Sequence, residues 1–372
     1  MYRLGDLDFM SEALRLAAEG TALASPNPRV GAVVVRESQV IGRGWHRYED
    51  RTHAEVLALA EAGEAARGAS LYVNLEPCSH TGRTPPCVEA ILAAGITRVI
   101  AGMEDPNPSV AGQGLRRLAE AGVAVECGCL GREAERLNQD FSKWIRTGLP
   151  WVTIKSAISL DGRIAPAGSA ERCGAQQQWI SSAPSRERVQ QLRHAADAVL
   201  TGIGTALSDD PLLTDRTKLP RRRRLLRVVL DFHLRLPVES KLVQTARRHH
   251  DLLVLHSQGS AERAALLTKA GATVERVACD AADARGRVDV GSVLRRLGAL
   301  EILSVLVEAG ARVNGAVLAG GWADRLVLFQ SPRLLGGEGV PLAAGTLDLR
   351  LAEALAAESI GPDLMIDANL RN

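Results

Sequence analysis
The sequence predicts two successive α/β domains on one chain, and three observations carry that reading. Short apolar, β-branched runs alternate with helical stretches along the whole length, the pattern of sheets covered by helices. The alternation is interrupted at Gly148-Leu149-Pro150 and restarts on a fresh strand, Trp151 to Ile158. A length of 372 residues, at about 150 per domain, also gives two or three domains. The expected domains are therefore 1–147 and 148–372.

In the first of these, Phe9, Ala13, Leu14 and Ala17 recur at helical spacing over 9–19. Val30 to Val35 is a nearly continuous apolar run, read as a buried strand, and Gln39 to Gly44 can pair with it as a hairpin. The Ala/Leu-rich stretch 54–66 reads as a helix, and Leu71 to Leu75 as a strand. Pro85-Pro86 open a helix that runs to Ala94 and stops at Gly95, proline being tolerated in a first turn. A strand at Val99 to Ala101, a helix at Leu115 to Ala121, a strand at Val123 to Val125 and a charged helix over 131–146 follow. This alternation around one sheet predicts a three-layer α/β domain. The second half repeats the logic, with strands at 198–201, 226–231, 252–255, 302–307 and 326–329. Helical patterns lie at about 184–195, 260–270, 290–297 and 311–319, and 278–288 reads as a loop.

Composition excludes several classes. Hydrophobic residues make up 46% and charged residues 24%, ordinary for a soluble globular protein. A net charge of +2 lacks the basic bias of a polyanion binder, and 3% aromatics leave few rings for base stacking. Arg221 to Arg224 reads as a solvated loop. No apolar stretch approaches about 20 residues, so no membrane span is expected, and no secretion signal is visible. The six cysteines are too sparse for a disulfide scaffold, which fits a reducing cytoplasm.

The chemistry concentrates at three places. His53-Ala54-Glu55 opens a helix, Pro77-Cys78 follows a strand, and Cys87 follows Pro85-Pro86 at another helix start. Helix N-termini stabilise thiolates and anionic oxygen nearby. One histidine and two cysteines make three protein ligands for Zn2+, leaving the fourth tetrahedral position open for water, as a catalytic site requires. Zinc lowers the pKa of that water towards about 7. Glu55, two residues from a ligand, can shuttle the proton without occupying the metal. Histidine-x-glutamate with proline-cysteine and a second cysteine is the arrangement of zinc deaminases of nucleobase-like rings. A closed structural site would want a fourth protein ligand, for which His80 is the nearest candidate. Cys127 and Cys129 alternate on an extended segment with no nearby partner and read as packing.

The two metal-binding cysteines are separated by Ser79-His80-Thr81-Gly82-Arg83-Thr84-Pro85-Pro86. The stretch Glu76 to Cys87 closely resembles the bifunctional deaminase–reductase family of riboflavin biosynthesis. So do Pro26-Asn27-Pro28-Arg29-Val30-Gly31, Gly44-Trp45-His46 and Asp105-Pro106-Asn107-Pro108. The resemblance covers nearly the whole chain, and the long cysteine spacing sets that family apart from tRNA, cytidine and DNA deaminases. It implies a cytidine-deaminase-like first domain. Asn27, His46 and His80 would line the pyrimidine and ribose-chain pocket, and Arg83 would meet the substrate phosphate with its guanidinium fork. Asp105 and Asn107 would hold the sugar chain. Independently, His, Arg, Asp and Asn around a zinc suit a polar phosphorylated heterocycle.

The second half is less explicit. It lacks a strand–GxGxxG–helix fingerprint, of which Gly202-Ile203-Gly204-Thr205 is a fragment. Gly310 and Gly315 follow a strong strand ending at Glu308, which read alone is turn chemistry or a phosphate-binding helix start. Lys155 to Arg163, Trp179-Ile180-Ser181, Arg193, Thr201 to Leu207, Asp209 to Thr214, Val307 to Gly310 and Pro332 to Gly337 resemble the reductase half of the same family. The resemblance implies a dihydrofolate-reductase-like α/β fold using NADPH. Ile158, Trp179, Thr205, Asp209 and the segment Gly310, Ala311, Arg312, Val313, Asn314, Gly315, Ala316 would contact the cofactor. Gln177, Arg193, Leu213, Arg216 and Glu308 would contact the substrate, with Lys155 as a candidate proton-donating or polarising group. Gln177 stands where the family commonly has serine, and Phe232 follows Asp231 where a small polar residue is more usual.

The implied activity is two consecutive reactions: deamination of a diaminopyrimidinone ribosylamino phosphate, then NADPH reduction of its ribose chain. The implied partners are that small substrate and further copies of the chain through the reductase half, with no nucleic acid or membrane. Competing readings are an active deaminase with a weakened reductase half, a nucleic-acid deaminase, and a non-catalytic zinc scaffold.

Overall fold
The computed structural model describes residues 5–80, 85–168, 179–279, 288–345 and 352–370. The chain divides into two units, Met1–Gly148 with Pro220–Arg223, and Leu149–Leu219 with Arg224–Asn372.

The first unit is built on strands β1 (Gly31–Arg36), β2 (Gln39–Trp45), β3 (Ser70–Val73), β4 (Arg98–Ala101) and β5 (Ala124–Cys127). Their order is β2-β1-β3-β4-β5, with β1 antiparallel to both neighbours and β3, β4 and β5 parallel. Its helices are α1 (Asp6–Ala18), α2 (Ala54–Ala62), α3 (Cys87–Ala93), α4 (Gln113–Glu120), α5 (Gly131–Leu137) and α6 (Gln139–Thr147). Strand alternation sends successive side chains to opposite faces. Ala32, Val34, Leu71 and Val99 therefore pack with Ala58, Ile91 and Leu118 of α2, α3 and α4. Val33, Val35, Tyr72 and Ile100 pack with Met10, Ala13 and Leu16 of α1. Two apolar faces on one sheet make the three layers expected from the sequence.

Two glycines set the height of α2. A Cβ on Gly42 would lie 2.1 Å from the Ala58 carbonyl oxygen, and one on Gly44 would lie 2.1 Å from that of Ala54. Both point to the same face of β2, so the helix rests on bare backbone, and its first turn is fixed against the sheet.

The stretch 131–146 reads as one helix in the sequence but folds as α5 and α6, broken at Asn138. The reason is long-range: the Asn138 carboxamide accepts from the Arg29 amide at 2.8 Å and donates to the Arg29 carbonyl at 2.9 Å. Arg221 to Arg224 is not simply a solvated loop either. Pro220–Arg223 belongs to the first unit, where Arg222 pairs with Glu49 at 3.1 Å and lies over the Tyr48 ring.

The second unit has strands β6 (Trp151–Ile158), β7 (Arg163–Ala165), β8 (Ala198–Gly202), β9 (Leu226–Leu230), β10 (Leu252–His256) and β11 (Thr273–Arg276). They are followed by β12 (Ser304–Val307), β13 (Arg325–Gln330), β14 (Val340–Pro341), β15 (Ala352–Ile360) and β16 (Asp363–Leu370). The main sheet runs β11-β10-β9-β8-β12-β6-β13-β16-β15, parallel as far as β13 and antiparallel across the final hairpin. Helices α7 (Ala183–Ala195), α8 (Ile203–Asp209), α9 (Lys241–His249), α10 (Ala261–Lys269), α11 (Val290–Ala299) and α12 (Ala311–Ala319) complete the unit. Val199, Val229 and Val254 face one apolar cluster and Ala198, Leu200, Val228 and Leu255 the other, so both faces of the parallel region are covered.

If α2 rests on β2 as described, Gly44→Ala forces helix and strand apart. The expected cost is about 1–3 kcal/mol, as for other overpacked contacts. Urea denaturation followed by a first-unit probe measures it, and wild-type stability in this variant would refute the contact.

Candidate functional sites
Three elements converge on the metal centre. His53 is the N-cap of α2, Cys78 follows β3, and Cys87 is the first residue of α3. The His53 Nδ1, Cys78 Sγ and Cys87 Sγ atoms lie within 4.8 Å of one another. A zinc bonded at about 2.3 Å to sulfur and about 2.0–2.1 Å to nitrogen has tetrahedral S···N edges of about 3.5 Å. His53 Nδ1 is 3.5 Å from Cys78 Sγ and 3.0 Å from Cys87 Sγ. Two sulfurs and an imidazole nitrogen are a donor set that zinc prefers, and three of them leave one tetrahedral position open.

The electrostatics agree. The Cys78 thiol is pulled down to about 4 by its hydrogen bond from Cys87, against burial and with help from His53. The Cys87 amide at the start of α3 donates to the same sulfur at 3.3 Å. Cys87 moves the opposite way, raised by its bond to Cys78 and by burial, so without metal the pair holds its last proton tightly. His53 is raised by its bond to Cys78. Glu55, in the first turn of α2, is buried, and its carboxyl is raised by burial, with His53 opposing. A carboxyl raised in this way is suited to accept and return a proton near neutrality.

The residues expected around this centre fall into two groups. Asn27 and His46 meet directly, with Asn27 Nδ2 3.0 Å from His46 Nε2. His46 Nδ1 lies 3.0 Å from the Thr52 carbonyl, which can only accept. The ring is therefore protonated on Nδ1, and Nε2 accepts from Asn27. Burial lowers the pKa of His46, which keeps this neutral tautomer. His46 stands edge-on to His53 at a centroid distance of 5.6 Å. Asp105 and Asn107 form the second group: the Asp105 carboxylate accepts from the Asn107 amide at 2.8 Å, and Asn107 Oδ1 accepts from the Ser109 amide at 3.1 Å. Burial raises Asp105, while the Asn107 amide and His80 pull it down. His80 itself is exposed. Arg83 and Gln177 lie outside the described residues.

Three supporting residues had no functional role in the sequence reading. Asn74 accepts from the Gly31 amide at 2.8 Å and donates to the Arg29 carbonyl at 2.9 Å, so with Asn138 it pins the segment that carries Asn27. The third, Glu76, is treated below. Their partners are backbone groups far away in sequence, and no local spacing signals such a bond.

In the second unit, Lys155, Arg193 and Glu308 form one cluster. Arg193 grips Glu308 with two nitrogens, at 2.5 Å and 3.0 Å, and Lys155 Nζ lies 3.1 Å from Glu308 Oε2. Arg193 is thus a buried partner of Glu308, not a surface arginine. Burial would raise the Glu308 carboxyl, but Lys155 and Arg193 outweigh it and hold it at about 2. Leu213 is buried at φ +51°, and Arg193 Nη1 reaches the Thr214 carbonyl at 3.2 Å. Arg216 is exposed, its amide held by Gln190 Oε1 at 3.0 Å.

The expected cofactor residues are spread more widely. Gly310 is the N-cap of α12, and a Cβ there would lie 3.5 Å from Thr205 Oγ1, so these two residues are neighbours. Asn314 and Gly315 turn inward. Asn314 Nδ2 bonds the Leu342 carbonyl at 3.0 Å, and a Cβ on Gly315 would lie 1.9 Å from the Ala344 carbonyl oxygen. Arg312, Ala316 and Asp209 are exposed, Val313 is half-buried and Ala311 buried. Ile158 is buried at the end of β6. Trp179 is 49% exposed beneath the Arg186 guanidinium. A helix start at the carboxyl end of parallel strand β12 fits a phosphate-bearing dinucleotide. The Thr201 Oγ1 and Asn314 Oδ1 atoms are buried there without hydrogen-bond partners among the described residues.

Known proteins match along the whole chain. Residues 150–366 match the RibD C-terminal domain, and residues 5–103 match the cytidine and deoxycytidylate deaminase zinc-binding region. The riboflavin biosynthesis protein RibD of Aquifex aeolicus is 38% identical over 372 residues, covering 98% of this chain and 99% of that one. The solved structure of Acinetobacter baumannii RibD, form 1, superposes with a TM-score of 0.86 at 33% identity, covering 99% of each chain. A diaminohydroxyphosphoribosylaminopyrimidine deaminase/5-amino-6-(5-phosphoribosylamino)uracil reductase from Thermotoga maritima superposes with a TM-score of 0.81 at 31% identity, covering 98% of this chain and 99% of that one.

Two outcomes are expected from the geometry. Replacing Cys87 by serine removes one of three donors, and zinc measured by plasma mass spectrometry should fall from about one per chain at least tenfold, in line with a metal site losing a ligand. In the second unit, the folded pKa of Glu308 lies below its unfolded value. Its contribution is therefore complete above pH ~4.3 and is lost as the pH falls from there towards about 2. The stability gap between wild type and Glu308→Gln should be on the order of a few kcal/mol at neutral pH and close over that acid window. A gap unchanged down to low pH, by urea denaturation, would contradict the assignment.

Proposed function
This chain belongs to the RibD family of bifunctional riboflavin-biosynthesis deaminase–reductases, and on that footing we propose which residues carry its two reactions. The observation that bears most weight is the open triad of His53, Cys78 and Cys87 with buried Glu55 beside it.

In the first reaction the exocyclic amine of a 2,5-diamino-6-ribosylamino-pyrimidinone 5'-phosphate is replaced by oxygen, and ammonia leaves. Zinc held by the triad supplies, when bound, the Lewis acid that makes water nucleophilic near neutral pH. Glu55 takes one proton from the attacking water and passes it to the ring nitrogen, then carries the remaining hydroxyl proton to the amine, which departs as ammonia. Its burial is what raises the carboxyl enough for both duties. Asn27 and His46, locked to each other, orient the ring, and Asp105, Asn107 and His80 hold the ribose chain. Arg83 pairs with the phosphate.

In the second reaction the ribosylamino group of the aminouracil is reduced to ribitylamino. NADPH supplies, when bound, the hydride. Thr205 and the start of α12 bind its phosphates, with Ile158, Trp179 and Asp209 completing the site. Glu308 orients the opened sugar chain, Gln177, Leu213 and Arg216 line its path, and Arg193 fixes Glu308. Of the two cations on Glu308, only Lys155 can give up a proton, since arginine stays protonated. Lys155 therefore donates to the imine nitrogen as hydride arrives at carbon. No observation favours a disabled reductase half, because its ion cluster is fully assembled.

The test is incubation of the purified protein with the diaminopyrimidinone phosphate, with and without NADPH, following ammonia release and both products. Ammonia without NADPH consumption would leave only the deaminase. Glu55→Gln is expected to keep zinc but slow deamination at least 100-fold, the range lost with a general acid–base. Lys155→Met should slow NADPH oxidation by a similar factor while leaving ammonia release unchanged.

A further inference from the structure
Glu76 precedes the Pro77-Cys78 pair and is only 5% exposed. Its carboxylate receives four backbone amides. Oε2 accepts from Asp105 at 2.9 Å and Gly112 at 2.8 Å, and Oε1 accepts from Gly114 at 2.8 Å and Leu115 at 3.3 Å. Its own amide donates to the Met103 carbonyl at 2.9 Å. We propose that Glu76 is a positioning residue of the deaminase: it fixes the 105–115 segment, and through it Asp105 and Asn107, against the segment after β3 that carries Cys78.

The bonds run in sequence from the metal side outward. Glu76 holds the Asp105 amide, and the Asp105 carboxylate in turn holds the Asn107 amide at 2.8 Å. At its far end the segment enters α4, where Gly112 is the N-cap at φ +73°. The Glu76 carboxylate therefore also meets the first unpaired amides of that helix, where negative charge is favoured. Contact with the segment that carries Cys78 is tight, since a Cβ on Gly114 would lie 1.9 Å from the Pro77 carbonyl oxygen. Four donors require the lone pairs of a carboxylate; a carboxamide offers one oxygen and turns two N–H groups towards amides that also donate. A glutamate is thus specified here by the segment it holds, not by the metal. A carboxylate held by backbone amides reaches the substrate only through the residues it places, so its loss should appear in KM before kcat.

The inference rests on Asp105 and Asn107 contacting the ribose chain, and the test separates the two claims. Wild type, Glu76→Gln, Asn107→Ala and the double variant are compared as zinc-loaded full-length protein. For Glu76→Gln we expect one zinc per chain, a deaminase KM raised about tenfold, kcat within threefold, and faster exchange of the Asp105, Gly112 and Gly114 amide protons. The double variant should be less than additive in KM. If Asn107→Ala leaves KM unchanged, the substrate reading of the segment fails. If Asn107→Ala raises KM but Glu76→Gln does not, the positioning role fails alone. Loss of zinc and kcat at unchanged KM in Glu76→Gln also overturns it, in favour of a role at the metal. Should Glu76→Gln not fold, Gly112→Ala decides. Its added methyl meets nothing within 4 Å, but the positive φ strains the amide that Glu76 holds. A KM raised two- to threefold at constant kcat supports the proposal, and an unchanged KM overturns it.

Discussion
The first unit depends on one constraint: three donors from three separate segments must stay within 4.8 Å of one another. Two of those segments are helix starts, and the third leaves the sheet at the end of β3. Helix starts bring free amides and a favourable field to thiolates, but they do so only if the helices cannot slide. For α2 that is secured by Gly42 and Gly44, which let helix backbone rest on strand backbone. For α3 it is secured by the Cys87 amide bonding Cys78 Sγ and by Val88 and Ile91 in the core. The surrounding polar residues extend the same scheme. Asn74 and Asn138 hold the segment of Asn27, and Glu76 holds that of Asp105. Each makes its hydrogen bonds to backbone, so the segments that carry Asn27 and Asp105 are held by main-chain contacts.

The second unit meets a similar requirement by electrostatics. Glu308 follows β12 directly, Lys155 lies on the neighbouring strand β6, and Arg193 comes from α7. A buried carboxylate with one cation would be poorly compensated, and the second cation is what holds it ionised at about 2. The cost of assembling three charges is met by mutual pairing, with the Glu308 carboxylate held between the two cations.

How much of this was legible in the sequence follows from how far apart the partners lie along the chain. The candidate metal triad falls between positions 53 and 87, with His53 and Cys87 at helix starts and Cys78 after a proline, and the sequence brings the three together by spacing and residue type. The strands of the sheet cores were legible for the same reason, since Gly31–Arg36 and Trp151–Ile158 carry continuous β-branched runs. The ion cluster spans 153 residues between Lys155 and Glu308. Nothing local marks such a pair, and resemblance alone nominated its members. Asn138 shows the same limit in the fold, because a helix pattern was broken by a partner 109 residues away.

The elements that escaped detection have a different cause. The strand β15, Ala-Glu-Ala-Leu-Ala-Ala-Glu-Ser-Ile, has helix-forming composition yet is extended along the whole of β16. Its outer position explains this: Leu355 is 69% exposed, and among the described side chains of the strand none is buried, so they impose no alternation on the sequence. Hydrogen bonding to a neighbour decides its conformation, and tertiary pairing overrides propensity. The short helix α8 is the converse case. It begins at Gly202-Ile203-Gly204, which in the sequence is only a fragment of a glycine fingerprint, and it is kept helical by Ile203 and Ala206 packed into the core. That same start places Thr205 beside Gly310. Of the two glycines that weakened the helix signal, Gly202 is the one that packing requires, since a Cβ there would lie 2.8 Å from the Val313 side chain of α12, whereas one on Gly204 would meet nothing within 4 Å.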